Sequence, residues 1–402
     1  MTDLTTRPTT LFVNLGHGYS HLFMLLYPTV VLGLEGRWGL GYAELLPLGF
    51  LGYLLFGLGS LPAGWLGDRW SSARMMTLFF LGTGAGALTA GLAIGPWSLA
   101  LGLTLIGLFA SIYHPVGIAW LVGAGNRPGR ALGFNGVFGA IGTAGAALIA
   151  GALTDLISWR AAFILPGLVC IATGLAFALC LQHGRVAMVR ASYRQGTARH
   201  GAAAARRGLI LLLGAMLFSG LIYQMTSVGM PKIFQARLGD EIGATALAAG
   251  SLVSLVYAIS ALGQVAAGSL ADRFDERWLY ALSYAIQIVI LGLALASHDA
   301  ALVVLVALAV TLQTGTGPIE NCLLARYTPD AWRATVYGLK FVIALGLSAL
   351  GVPLLALIYR LTGAFDGVFW TLIAFSAVPL LVALALPGAR SAPAPAAAEA
   401  AD

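Results

Sequence analysis

Twelve continuous apolar stretches run through the 402-residue chain, and no other feature limits its fold as severely. They occupy roughly 11–34, 42–64, 74–94, 97–121, 130–152, 159–182, 208–231, 245–268, 277–297, 300–323, 334–359 and 366–387. A hydrocarbon layer about 30 Å thick takes about 20 apolar residues of α-helix to cross. Only 9% of the residues are charged, against about 25% in a soluble domain, so water cannot solvate this chain on every side. A transmembrane barrel would alternate polar and apolar residues over segments of about ten; these stretches are unbroken and longer. The expectation is an all-α integral membrane protein of twelve spans.

The 52 glycines are scattered through the apolar stretches without a collagen-like period. Small residues of this kind let membrane helices approach closely. Cys170, Cys180 and Cys322 fall in or at the ends of spans with no disulfide or zinc spacing, and read as small apolar residues. The first stretch is long enough to span and reads as a helix, not a removable signal.

A net charge of +6 does not point to nucleic acid, because the basic residues are sorted by side. With the N-terminus inside, sixteen Lys and Arg fall in cytoplasmic segments, among them Arg69, Arg74, Arg273 and Arg277. Five fall outside, namely Arg37, Arg160, Lys232, Arg237 and Arg360, and Lys340 lies within a span. This asymmetry fits the positive-inside rule with both termini cytoplasmic, and the expected location is the cell inner membrane.

Gly64-x-Leu66-x-Asp68-Arg69 recurs 204 residues later as Gly268-x-Leu270-x-Asp272-Arg273. The same offset pairs Gly142 with Gly346 and Tyr19 with Tyr223, and brings Arg130 within one residue of the position equivalent to Arg333. A constant offset at several places marks a duplication. The chain therefore divides into an N-terminal six-helix bundle (1–182), a basic cytoplasmic linker (183–207), a C-terminal six-helix bundle (208–389) and a disordered tail (390–402). The polar interval from about Gln182 to Arg207 has six arginines, His183, His200 and no acid, as suits a segment that fixes topology and meets anionic headgroups. Duplicated bundles are the plan of many secondary transporters, whose substrate binds between the halves near the midplane.

The loop from Gly64 to Arg74, with its second copy and the twelve spans, resembles the major facilitator superfamily over nearly the whole chain. Ser111-Ile-Tyr-His114-Pro115 and the run from Arg127 to Gly142, with Tyr27-Pro28, are similar to the fosmidomycin-resistance-type branch. That resemblance implies export of a small organic compound in exchange for protons. The first span departs from it, reading Asn14-Leu-Gly-His17-Gly-Tyr-Ser-His21 where the branch tends to carry a Ser-His and an Asn-Asp pair, and no arginine lies within the fourth span.

Asp68 and Arg69, with Gly64, stand where a helix meets the cytoplasmic face. A carboxylate there can cap a helix of the other half and an arginine can bridge to an acid. Asp272, Arg273 and Glu276 could do the same in the second half, as a cytoplasmic gate. Gly133, Gly136, Gly139, Gly142 and Gly145 form a slanting track on the fifth span that allows close packing of a neighbouring helix.

Ionisable groups inside a span are costly unless they face a cavity or a partner. His17 and His21, one turn apart on one face, His114, Glu320 and Lys340 are therefore the substrate or proton candidates. In the superfamily the first, fourth, seventh and tenth helices line the cavity, and four of these five residues fall there. Depth places His114, Asn135, Glu320 and Lys340 at one level, where Lys340 could pair with Glu320 or hold an anionic substrate. Pro115 and Pro318 free backbone carbonyls beside His114 and Glu320. Tyr19, Tyr113, Tyr223, Gln224 and Asn321 are further polar cavity candidates.

The expected activity is proton-coupled export of a small organic, including anionic, compound by alternating access, acting as a monomer in the bilayer without cofactor. The alternative is a copper- or zinc-type metal transporter using His17, His21 and His114 with Met24 and Met225, which requires the histidines to converge. An enzyme is disfavoured, because no nucleophile–base pair, metalloprotease motif or nucleotide-binding loop is present.

Overall fold

The structure, a computed structural model, describes residues 7–124, 128–186, 202–271, 273–328 and 333–386. Among these residues every regular element is helical. With no water in the bilayer to take up backbone hydrogen bonds, a helix satisfies each of them within its own segment. The helices are α1 (Arg7–Val30), α2 (Tyr42–Leu58 and Ser60–Arg69), α3 (Ser72–Gly91), α4 (Pro96–Leu121), α5 (Pro128–Leu156) and α6 (Ala161–Gln182) in the first bundle. The second holds α7 (Ala202–Ile242), α8 (Ala246–Ala271), α9 (Glu276–Ala296), α10 (Ala301–Tyr327), α11 (Arg333–Phe341 continuing to Gly351–Thr362) and α12 (Asp366–Ala385). Nine of these are long and apolar enough to cross a membrane, and a tenth is α2, whose two parts meet at 42°. Helices α1 and α3, 24 and 20 residues long, cover the two remaining apolar stretches. Large apolar side chains such as Leu262, 76% exposed, point outward, as expected where the surroundings are lipid.

Several boundaries differ from the hydropathy reading. Helix α7 runs on to Ile242 through Lys232 and Arg237, because polar residues end an apolar window without ending helical hydrogen bonding. Residues 187–201, which hold most of the basic linker, and 387–402, which hold the tail, lie outside the described residues.

Neighbouring helices approach through glycines. A Cβ at Gly142 of α5 would collide with the Gly18 backbone of α1, and one at Gly139 with the His17 ring. At Gly133 and Gly136 it would meet nothing within 4 Å, and at Gly145 only its own helix's Ile149. The glycine track thus divides, with contact at Gly139 and Gly142 and open space at Gly133 and Gly136. Between the bundles, a Cβ at Gly57 of α2 would strike the Gly346 backbone of α11, one at Gly151 would strike Ala246 at the start of α8, and one at Gly250 would strike Ala147.

The ends of the two bundles differ. At the pole opposite the start of α1, here the far pole, Lys232 Nζ pairs with Glu35 at 2.5 Å across the bundles. Asp155 Oδ2 accepts from the Leu247 N–H at 2.6 Å, capping α8. The Tyr42 ring lies edge-on to Tyr359 at 5.2 Å, and its hydroxyl donates to the Val228 carbonyl at 3.3 Å. At the near pole, Asp68, Arg69 and Arg273 are exposed. The Arg69 guanidinium lies 4.3 Å from the Trp65 ring of its own helix. Among the described residues no ion pair crosses between the bundles there. Among the described residues the polar ties between the bundles thus lie at the far pole.

Gly142→Val should cost about 1–3 kcal/mol through overpacking, read as a lower Tm in detergent, while Gly136→Ala should leave Tm unchanged or slightly raised. Lys232→Ala should loosen the far pole by about 1 kcal/mol, a roughly fivefold population shift. Spin labels at positions 69 and 273 should then show a larger short-distance population.

Candidate functional site

Among the described residues, the ionisable candidates gather at two places in the interior, one in each bundle. In the first, α1 presents His17 and His21 one turn apart, with His21 Nε2 3.2 Å from His17 Nε2. His17 Nδ1 lies 2.8 Å from the Asn135 carbonyl oxygen. A carbonyl only accepts, so Nδ1 carries the proton and Nε2 keeps its lone pair. His114 completes the cluster from α4, its ring centroid 5.6 Å from His17 and 5.4 Å from His21. One ligating nitrogen from each of the three lies within 4.8 Å of the others.

Local chain geometry brings His114 there. Pro115 has no N–H to donate, and the segment Tyr113–Gly117 opens into a wide π-type turn, a distortion frequent at functional sites. Gly64 of the repeated loop motif leaves room for Pro115, whose Cβ would lie 3.3 Å from a Cβ placed there. Tyr113 stacks on His17 with centroids 5.1 Å apart. Its hydroxyl donates to Asn135 Oδ1 at 3.1 Å and accepts from Asn135 Nδ2, which also donates to Asn14 Oδ1 at 2.9 Å. The buried Asn135 thereby fixes Tyr113 and, through its carbonyl, His17. His114 Nδ1 is buried without a hydrogen-bond partner.

In the second bundle, Glu320 of α10 faces Lys340 of α11, with Oε2 3.7 Å from Nζ. Lys340 also donates to Asn321 Oδ1 at 2.6 Å, and the Tyr280 hydroxyl donates to Glu320 Oε1 at 2.8 Å. Both charged side chains are largely buried, at 6% and 12% exposure. The candidates expected at one level therefore form two groups, not one. They meet where Phe341, next to Lys340, packs on the His114 ring at 5.8 Å. No hydrogen bond or ion pair links the two groups among the described residues.

Other candidates lie apart. The Tyr19 hydroxyl bonds to Thr173 Oγ1 of α6 at 2.9 Å. Tyr223 and Gln224 sit on α7, where Gln224 Nε2 is buried without a partner. Glu276 pairs with Arg326 inside the second bundle instead of across the interface. Asp272 lies outside the described residues. Sequence reasoning missed Tyr280 and the far-pole set of Glu35, Lys232, Asp155 and Tyr42. For Glu35, Asp155 and Lys232 the only advance signal was charge near span ends, which also serves topology, and the two tyrosines gave none.

The duplicated halves and the paired bundles are matched by a family model described as Major Facilitator Superfamily, over residues 18–239 and again over 212–401. The chain belongs to the Major Facilitator Superfamily. It is a multi-pass membrane protein of the transporter class. Among solved structures it is similar to a bacterial homologue of the human lysosomal transporter Spinster in an inward-facing, occupied conformation. That likeness has a TM-score of 0.72 and 15% identity, covering 97% of this chain and 100% of that one. It is similar also to the peptide transporter POT in complex with sulfate (TM-score 0.74, 14% identity, 94% and 92% covered). A D-xylose-proton symporter gives 0.69 at 15% identity, with 95% and 98% covered. At these identities the likeness establishes the fold alone. The puromycin resistance protein pur8 of Streptomyces alboniger is 34% identical over 116 residues, 28% of this chain and 22% of that protein. The match thus spans about a fifth of that relative. The histidines do converge, as a metal transporter would require, but none of these four proteins is described as moving a metal, and that alternative gains no support from them.

Asn135→Ala should leave the Tyr113 hydroxyl and Asn14 without their buried partner, at about 1–3 kcal/mol. The expected readout is a lower Tm, with far-UV helicity retained.

Proposed function

We propose that this chain is a proton-coupled exporter of a small organic compound, an anionic one included, working by rocking of residues 1–182 against 208–389. The observation that carries this reading is the Glu320–Lys340 pair. A carboxylate and an ammonium 3.7 Å apart inside a bundle are costly to bury, and each needs the other. An anionic substrate can take the Lys340 ammonium from Glu320. The carboxylate then keeps the Tyr280 hydroxyl and loses its cation. Release of the substrate restores the pair. Lys340 thus ties the substrate to the carboxylate assigned here to the proton, which is the coupling this reading needs.

The relatives lend the reading chemical range. POT binds sulfate in the structure named above, the xylose transporter is a proton symporter, and pur8 confers puromycin resistance. The excess of basic residues on one side supports a near pole in the cytoplasm, with both termini there, in an inner membrane. On that orientation the far-pole ties lie on the outer side of the membrane. We assign a monomer as the working unit, since each bundle completes its polar group from its own side chains.

Proteoliposomes with a trapped pH-sensitive dye, challenged with phosphonates, sulfate, organic acids, puromycin and sugars, test this function. The wild type should move protons against one class of substrate. Glu320→Gln should retain substrate binding and lose proton movement, and Lys340→Ala should weaken binding of an anion at least tenfold. Proton movement unchanged in Glu320→Gln overturns the coupling role.

A further inference from the structure

We propose that His17, His21 and His114 form a binding site for a divalent transition-metal ion, resident in the first bundle and separate from the transported substrate. Zinc-type coordination places imidazole nitrogens about 2.0–2.1 Å from the ion, so two ligands of a tetrahedral site lie about 3.3 Å apart. His17 Nε2 and His21 Nε2 already stand 3.2 Å apart. The ligating nitrogens of all three lie within 4.8 Å, and side-chain rotation of His114 about its wide turn closes the remaining ~1.5 Å.

The surroundings are those of a ligand set. Metal-bound histidines almost always donate their other ring N–H to a carbonyl or carboxylate, which fixes tautomer and ring orientation. His17 does this to the Asn135 carbonyl at 2.8 Å, and stacking by Tyr113 holds its plane. An ion between His17 and His21 replaces the hydrogen their two nitrogens share, and that proton moves to His21 Nδ1 or to solvent. The buried, unpartnered Nδ1 of His114 is a second and independent sign that this group lacks something it could bind. Three imidazoles leave a fourth position for water, as in open zinc sites.

All three ligands belong to α1 and α4 of one bundle. Rocking of the two bundles therefore leaves the set intact, and the ion rides through the cycle instead of being handed across. That is why the geometry suits a resident ion better than a cargo. Phe341 of the second bundle covers His114 in the present state, so access to the site varies with conformation.

The test uses the purified full chain in detergent with zinc chloride and cobalt chloride as sole ligands. Wild type should bind one equivalent of cobalt with the visible absorption of a four-coordinate nitrogen site, displaced by zinc. Zinc should raise Tm. His17→Ala, His21→Ala and His114→Ala should each weaken binding by more than the roughly 10–100-fold typical of losing an outer-shell partner. Should a variant fail to fold, diethylpyrocarbonate labelling of the wild type read by mass spectrometry decides. Zinc should protect the half-buried His17 and His21 and leave the exposed His183 and His298 reactive. Absence of binding at micromolar zinc, unchanged affinity in all three variants, or protection confined to His183 or His298 overturns the proposal. None of these readouts depends on transport, so failure of the exporter function would not be mistaken for failure of the site.

Discussion

The two bundles meet through backbone, and the rest of the architecture depends on that contact. At Gly57 and Gly346, at Gly151 and Ala246, and at Gly250 and Ala147, a side chain on the glycine would occupy the neighbour's main chain. Lipid is as apolar as leucine, so burying apolar surface does little to hold helices together in it. Close packing and a few polar bonds must supply the attraction. Glycine allows this where bulkier residues would hold the helices apart. At these points no side chain stands on the glycine to hold the two backbones apart.

Polar contacts then decide which end of the seam is shut. Lys232 with Glu35, and Asp155 at the start of α8, tie the far pole. The repeated near-pole motif holds no cross-bundle ion pair among the described residues, and Arg69 rests on Trp65 of its own helix. Glu276 and Arg326, which hydropathy and charge alone would admit to a gate, are spent on each other inside one bundle. Among the described residues the cross-bundle ion pair and the cross-bundle helix cap both sit at one pole.

The interior is divided in the same way. The first bundle carries aromatic and imidazole groups held by Asn135 and Tyr113, and the second carries an ion pair held by Tyr280 and Asn321. Phe341 against His114 is where the two groups abut. Each group has a fixed local frame, so movement between bundles changes the environment at their boundary without dismantling either one. In a medium where an unsatisfied polar group is expensive, this arrangement keeps the cost of moving low.

Much was legible in the sequence by itself. Apolar runs of about 20 residues can only be membrane helices, and the 204-residue offset announced two related halves before any packing was known. The scarcity of charge inside spans also singled out Glu320, Lys340 and His114, because bilayer burial makes each such residue an exception that needs a reason. The one-turn spacing of His17 and His21 put them on one face. What only the tertiary structure decided was partnership. Nothing in the spacing indicated that Asn135 would hold His17 by its carbonyl, that Tyr280 would hold Glu320, or that the five intramembrane ionisable groups would split three and two. It equally hid the far-pole tie, since Glu35 and Lys232 read as ordinary end-of-helix charges. Helix formation follows from local hydropathy and hydrogen bonding, which a linear chain displays. Which helix faces meet follows from packing among residues far apart in sequence, and that is settled only when the chain has folded.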